Sequence, residues 1–112
     1  MIMTDSFTIT GAITATKEAT DKLLGSKDEK RTLIGVRINP QASMADEDDY
    51  IIIFVNSTPL NKGSGVYRMN INDYTHIIET NVPLVSGDEV VVKNTSGATA
   101  RDVIGEYIYE VE

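Results

Sequence analysis

The 112-residue sequence has no cysteine and no tryptophan, a single histidine, three prolines and only five leucines. Without cysteine there is no disulfide framework, no thiolate metal site and no cysteine nucleophile, so stability has to come from packing or from subunit association. One histidine cannot fill a tetrahedral zinc site of nitrogen and sulfur donors, and no metal or other cofactor is expected. A basic cluster is also missing. Ten Lys plus Arg stand against 17 Asp plus Glu, for a net charge of −7, and Asp28 and Glu29 interrupt the one basic-leaning stretch, Lys27 to Arg31. Phosphate binding draws on clustered Lys and Arg, so neither nucleic acid nor an anionic membrane is an expected partner. The longest aliphatic and aromatic run, Tyr50 to Val55, is far short of the ~20 residues of a membrane helix. The first residues, Met-Ile-Met-Thr-Asp, have neither the basic n-region nor the apolar h-region of a signal peptide, which suggests a product made in the cytoplasm.

What the chain does have is β-branched residues: Val, Ile and Thr number 10, 13 and 12, against seven Ala. Such side chains suit a pleated surface and lose rotamer freedom on a helix. Ser6 to Ala15 alternates, with Phe7, Ile9, Gly11 and Ile13 on one side and Thr8, Thr10, Ala12 and Thr14 on the other, which predicts a half-buried strand. Residues 1–5 before it read as a flexible N-terminal arm. Residues 16–24 form either one short helix closed by Gly25 or an exposed strand edge. Further strands are expected over Arg31 to Asn39, Tyr50 to Val55, Val66 to Ile71, Tyr74 to Glu79, Val82 to Val85, Glu89 to Lys93 and Asp102 to Val111, with turn residues between them. About eight short strands without crossover helices predict an all-β fold, a single-domain antiparallel β-sandwich over residues 6–112.

Catalytic constellations are hard to assemble. His76 sits alone in a strand pattern, and no Gly-x-Ser-x-Gly elbow supplies a nucleophile for it. Gly63-Ser64-Gly65 and Ser86-Gly87-Asp88 lack the Gly-Lys-Ser/Thr of a phosphate loop and read as turns. The densest charge run, Asp46, Glu47, Asp48 and Asp49, is consecutive and has no Gly, unlike a calcium loop with its alternate ligands. It reads as a solvated loop suited to a basic partner surface, and replacing all four acids with Asn and Gln is expected to leave folding intact. Tyr50, Tyr67, Tyr74, Tyr107 and Tyr109 are candidates for core or interface packing, or for stacking on sugar rings. Tyr50, Ile52 and Phe54 lie on a strand that is apolar on both faces, more than a two-layer fold needs to hide. With Tyr107, Tyr109 and the four acids they make up the expected partner interface.

Residues 82–112 resemble the end of a jelly-roll virion protein. The resemblance rests on Gly87-Asp88 leading into Val90-Val91-Val92, the Ser96-Gly97-Ala98 turn, and a last amphipathic strand with Tyr107 and Tyr109. The strand Leu33-Ile-Gly-Val-Arg-Ile-Asn-Pro is similar to an early core strand of such proteins. The resemblance implies a tailed-phage capsid decoration (cement) or accessory head protein: non-enzymatic, located in the virion, a homo-oligomer with the trimer favoured, and bound to major capsid or other virion proteins. A carbohydrate-binding or adhesion β-sandwich module, with a glycan as ligand, is the alternative.

Overall fold

Alternation decides the strands, because burying every second side chain is what a sheet with one solvated face requires. Phe7 and Ile9 are buried while Ser6 and Thr8 face solvent, and Val36 and Ile38 are buried with the partly exposed Arg37 between them. The computed structural model describes residues 1–25, 29–41, 49–60 and 76–112. Among these residues there are eight strands and no helix: β1 (Ile2–Ile9), β2 (Ala15–Lys22), β3 (Lys30–Pro40), β4 (Tyr50–Val55), β5 (Thr58–Pro59), β6 (His76–Val85), β7 (Glu89–Ser96) and β8 (Val103–Val111).

They form two antiparallel four-stranded sheets. Sheet A has the order β1-β8-β3-β6 and sheet B the order β2-β7-β4-β5. The pairs β1·β8, β2·β7, β3·β6 and β4·β5 are those of one long hairpin folded at the β4–β5 turn and rolled up. The further pairs β3·β8 and β4·β7 close the roll into two sheets, which is jelly-roll order. The chain is therefore an all-β, jelly-roll-like sandwich, as its turn spacing and β-branched content predict.

Side chains from both inner faces fill the space between the sheets. Phe7, Ile9, Leu33, Val36, Ile38, Leu84, Val103, Tyr107 and Tyr109 come from sheet A, and Ile51, Ile53, Val90 and Val92 from sheet B. The rings of Phe7 and Tyr107 lie 4.8 Å apart at 41°. Gly105 makes room for this contact, because a Cβ there would overlap the Phe7 ring and the Arg37 carbonyl.

Two expectations need correction, and one left open is decided. Residues 16–24 are not a helix: Ala15–Lys22 is an edge strand, since Ala19 is its one side chain packed against the core and β7 supplies its hydrogen bonds. Residues 1–5 are not an arm either, because Ile2 to Asp5 pair with Glu110 to Tyr107 and β1 begins four residues earlier than its pattern suggests. The two strands expected over Tyr74 to Glu79 and Val82 to Val85 are joined in β6, which runs through Pro83. Proline is tolerated there because β6 is the edge of sheet A. Finally, Asn81 takes a left-handed φ of 54° where the β3·β6 register shifts between Leu33 and Gly35, a bulge that absorbs the irregular middle of β6. The strand expected over Val66 to Ile71 lies outside the described residues, as do Asp46, Glu47 and Asp48.

Candidate functional surfaces

The nine expected interface residues separate into groups. Tyr50, Ile52 and Phe54 share the solvent face of β4, where they stand opposite Thr95, Lys93 and Val91 of β7. Those three in turn face Thr16, Glu18 and Thr20 of β2. All three β4 side chains are half-buried. Two hollows flank this row. One, of about 230 Å³, is lined by Thr14, Tyr50, Thr95, Ser96 and Gly97. The other, of about 220 Å³, is lined by Glu18, Phe54, Asn56, Ser57, Val91 and Lys93, with the Lys93 ammonium 4.8 Å from the Phe54 ring centroid. Asn56 holds the rim in place: at φ 54° it takes the β4–β5 turn, its Oδ1 accepts from the Glu89 amide at 3.1 Å, and its Nδ2 donates to Asp88 at 3.3 Å. Sheet B thus presents aromatic rings among hydroxyls, an amide and one pair of opposite charges.

Tyr107 and Tyr109 are elsewhere. Only 2% and 0% exposed, they lie inside the sandwich and cannot face a partner. Their hydroxyls bind the two sheets to each other, Tyr107 donating to the Ala19 carbonyl at 2.8 Å and Tyr109 to Asp21 at 2.7 Å. Burial first, and then the charge of Asp21, raises both phenol pKa values, so both remain protonated donors at neutral pH. Asp5, opposite on β1, hydrogen-bonds the carboxyl of Asp21. Burial first, then that hydrogen bond and the Asp21 charge, raise its pKa against the pull of Arg31. Arg31 lies 5.5 Å from the Tyr109 ring centroid and pairs with Glu29 at 2.7 Å. This seam is polar because β2 has little apolar surface to offer the core.

Asp49 also departs from expectation, being 2% exposed rather than in a solvated loop. Its Oδ1 accepts from the Gly97 amide at 2.7 Å and lies 3.0 Å from Nη1 of Arg101, itself 2% exposed. Nη2 of Arg101 donates to Asn94 Oδ1 and to the Thr95 carbonyl, and Asn94 Nδ2 returns a bond to the Arg101 carbonyl at 3.0 Å. The cluster ties the start of β4 to the β7–β8 connection. A buried Asp cannot become Asn or Gln without leaving the guanidinium uncompensated, which corrects the expectation that all four acids are dispensable. Arg101 carries no mark in the sequence, where it is one charge in a Gly/Ala/Thr turn.

Sheet A has its own exposed feature. On its solvent face a hollow of about 490 Å³ is lined by Ile34, Gly35, Ile77, Glu79, Asn81 and Ile108. Ile77 and, further along β8, Ile104 are 45% and 46% exposed. Gly35 sets the depth, since a Cβ there would come within 3.0 Å of Ile77 and 3.1 Å of the Ile78 carbonyl. Residue spacing does not reveal this surface, because the bulge at Ile34 turns an isoleucine outward that regular alternation would bury. Among the described residues no group of three or more His, Asp or Glu is placed to hold a metal ion, and no helix is long and apolar enough to cross a membrane. No protein-family model and no curated protein matches the chain.

Proposed function

We propose that the chain is a non-enzymatic structural protein of a virion, a capsid decoration or accessory head protein that acts by adhesion. The observation that carries this reading is the hollow on the solvent face of sheet A, where Ile34, Ile77 and Ile108 surround a space that the folded chain does not fill. An isoleucine-lined hollow left open on a small acidic protein favours a protein partner, and rolled sandwiches of this strand order are frequent in viral capsids. The mechanism needs no reacting group: apolar side chains of a neighbouring shell subunit enter the hollow, while Glu79 at its rim favours a basic edge on that neighbour. A three-fold association of copies on the shell is part of the proposal.

The test is co-sedimentation of purified protein with tailed-phage capsid shells, together with the temperature at which the shells disrupt. Wild-type protein is expected to pellet with the shells and raise that temperature, and Ile77→Asp with Ile104→Asp to abolish both effects without loss of fold. Wild-type protein left in the supernatant refutes the reading.

A second reading has its own observation. The hollows beside Tyr50 and Phe54 combine aromatic rings with hydroxyl, amide and charged groups, which is the chemistry of a weak carbohydrate site. Signals on a glycan array that disappear in Tyr50→Ala and Phe54→Ala support it, and a blank array removes it.

A further inference from the structure

The four sheet edges among the described residues are not equivalent. An open edge offers unpaired N–H and C=O groups to any extended chain, and proteins blunt such edges with charge, proline, bulges or brevity. β2 carries Lys17, Glu18 and Lys22, all exposed. β5 has two residues, one of them Pro59. β6 contains Pro83, the left-handed Asn81 and a register shift against β3. β1 has none of these: its eight residues, Ile-Met-Thr-Asp-Ser-Phe-Thr-Ile, include no Pro, Gly, Lys or Arg, and its pairing with β8 is unbroken from Ile2 to Ile9. Its single charge, Asp5, is turned into the seam, where Asp21 and Arg31 engage it.

The hydrogen bonds show which groups are open. Met1 and Val111 exchange both main-chain bonds, Met1 N to Val111 O at 3.1 Å and Val111 N to Met1 O at 2.8 Å. In an antiparallel ladder such pairs alternate with pairs that face away. Residues 1, 3, 5, 7 and 9 therefore spend their amides and carbonyls on β8, and those of Ile2, Thr4, Ser6 and Thr8 point out of the sheet.

We propose that β1 is a self-association edge, and that a second copy of this chain adds its own β1 antiparallel to it about a two-fold axis at Ser6. In this register Ser6 faces Ser6 and Thr4 faces Thr8 of the second copy, so the open groups of Thr4, Ser6 and Thr8 satisfy one another in six hydrogen bonds. The solvent-face side chains then meet as Thr–Thr and Ser–Ser pairs, which are favourable across strands. Inside, Met3 faces Ile9 and Asp5 faces Phe7. A two-fold at Asp5 would oppose two carboxylates, and one at Thr4 or Phe7 would shorten the overlap. The same register brings Ile2, 55% exposed, opposite Thr10 of the second copy. A two-fold contact of this kind is isologous and closes on itself, leaving sheet A continuous through both copies and the face used for a shell unobstructed.

The test is register-specific and needs no capsid, so its result is independent of the functional reading. Mass is read by light scattering, and folding by circular dichroism. Wild-type protein is expected to associate in pairs, Thr4→Lys with Thr8→Lys to give folded monomers by setting like charges opposite each other, and Thr4→Lys with Thr8→Glu to restore pairing. In wild-type protein, amide exchange at Thr4, Ser6 and Thr8 is expected to slow at least about tenfold on going from dilute to concentrated solution. A wild-type monomer at high concentration, pairing that survives the two lysines, or exchange at those three amides that ignores concentration overturns the proposal.

Discussion

Replacing Asp49 by Asn removes a charge while keeping an oxygen for the Gly97 amide. The guanidinium of Arg101, with 1% of its side chain exposed, is left facing a neutral amide. Breaking a buried ion pair by removing one partner costs about 3–5 kcal/mol, most of it the penalty of the charge left behind. Arg101 retains Asn94 Oδ1 and the Thr95 carbonyl, which places Asp49→Asn near the lower end, about 3 kcal/mol. Arg101→Met loses those two bonds as well and removes the cation beside the buried Asp49, so about 4–5 kcal/mol is expected. At about 2.1 cal/mol/K per residue, 112 residues unfold with an entropy of about 0.24 kcal/mol/K, so the two variants melt about 13 °C and 17–21 °C below wild type. The double variant strands no charge and is expected to be less destabilised than the two single costs together by at least about 2 kcal/mol. Urea and thermal unfolding followed by circular dichroism measure all three. A melting point for Asp49→Asn within about 4 °C of wild type, or strictly additive costs, would refute the reasoning.

Two other perturbations test the seam and the core. Because Asp5 has its pKa raised in the folded protein, the stability it confers is fully present below about pH 4 and is lost as pH rises through the folded value. Asp5→Asn, whose amide can donate to Asp21 at every pH, should therefore be more stable than wild type at pH 7 in urea titrations, with the difference shrinking towards pH 3; a less stable variant at pH 7 contradicts this account. Gly105→Ala forces a methyl group into the Phe7 ring and the Arg37 carbonyl and is expected to cost about 3 kcal/mol, whereas Gly105→Ala combined with Phe7→Leu should recover part of that loss. Thermal melts that place the single variant at wild-type stability would show that the β1–β8–β3 contact is looser than described.

The strand material and the sandwich were legible because alternation and turn residues are local signals. Whereas the bulge at Ile34 breaks the alternation of Lys30–Pro40, Ser6 to Ile9 and Val103 to Tyr107 each announce their buried face within a few residues. Ala15–Lys22 did not, since its neighbours in space rather than its own side chains make it a strand: β7 supplies its bonds, and the two tyrosine hydroxyls and Asp5 anchor its inner face. Tyr107 and Tyr109 have the amphipathic spacing of interface residues, and only the topology reveals that their polar ends are used between the sheets. Asp49 is the last of four like charges in sequence. What distinguishes it is Arg101, half a chain away, and no composition or spacing argument connects the two. Tyr50, Ile52 and Phe54 were legible as a set because an apolar strand in a two-layer fold must expose one side.

The rolled hairpin also fixes an order of events in time. β4 and β5 are neighbours in sequence, but β3 has to wait for β6, β2 for β7 and β1 for β8, and Met1 meets Glu110 across a separation of 109 residues. Contacts so remote in sequence are closed late and at a high cost in chain entropy, and all-β folds of this kind reach the native state in roughly milliseconds to seconds. During synthesis β1 leaves the ribosome first and finds its partner last. For that interval both of its edges are open, so the strand that ends as a rim of the folded protein is also the segment most exposed to pairing out of turn with another nascent copy.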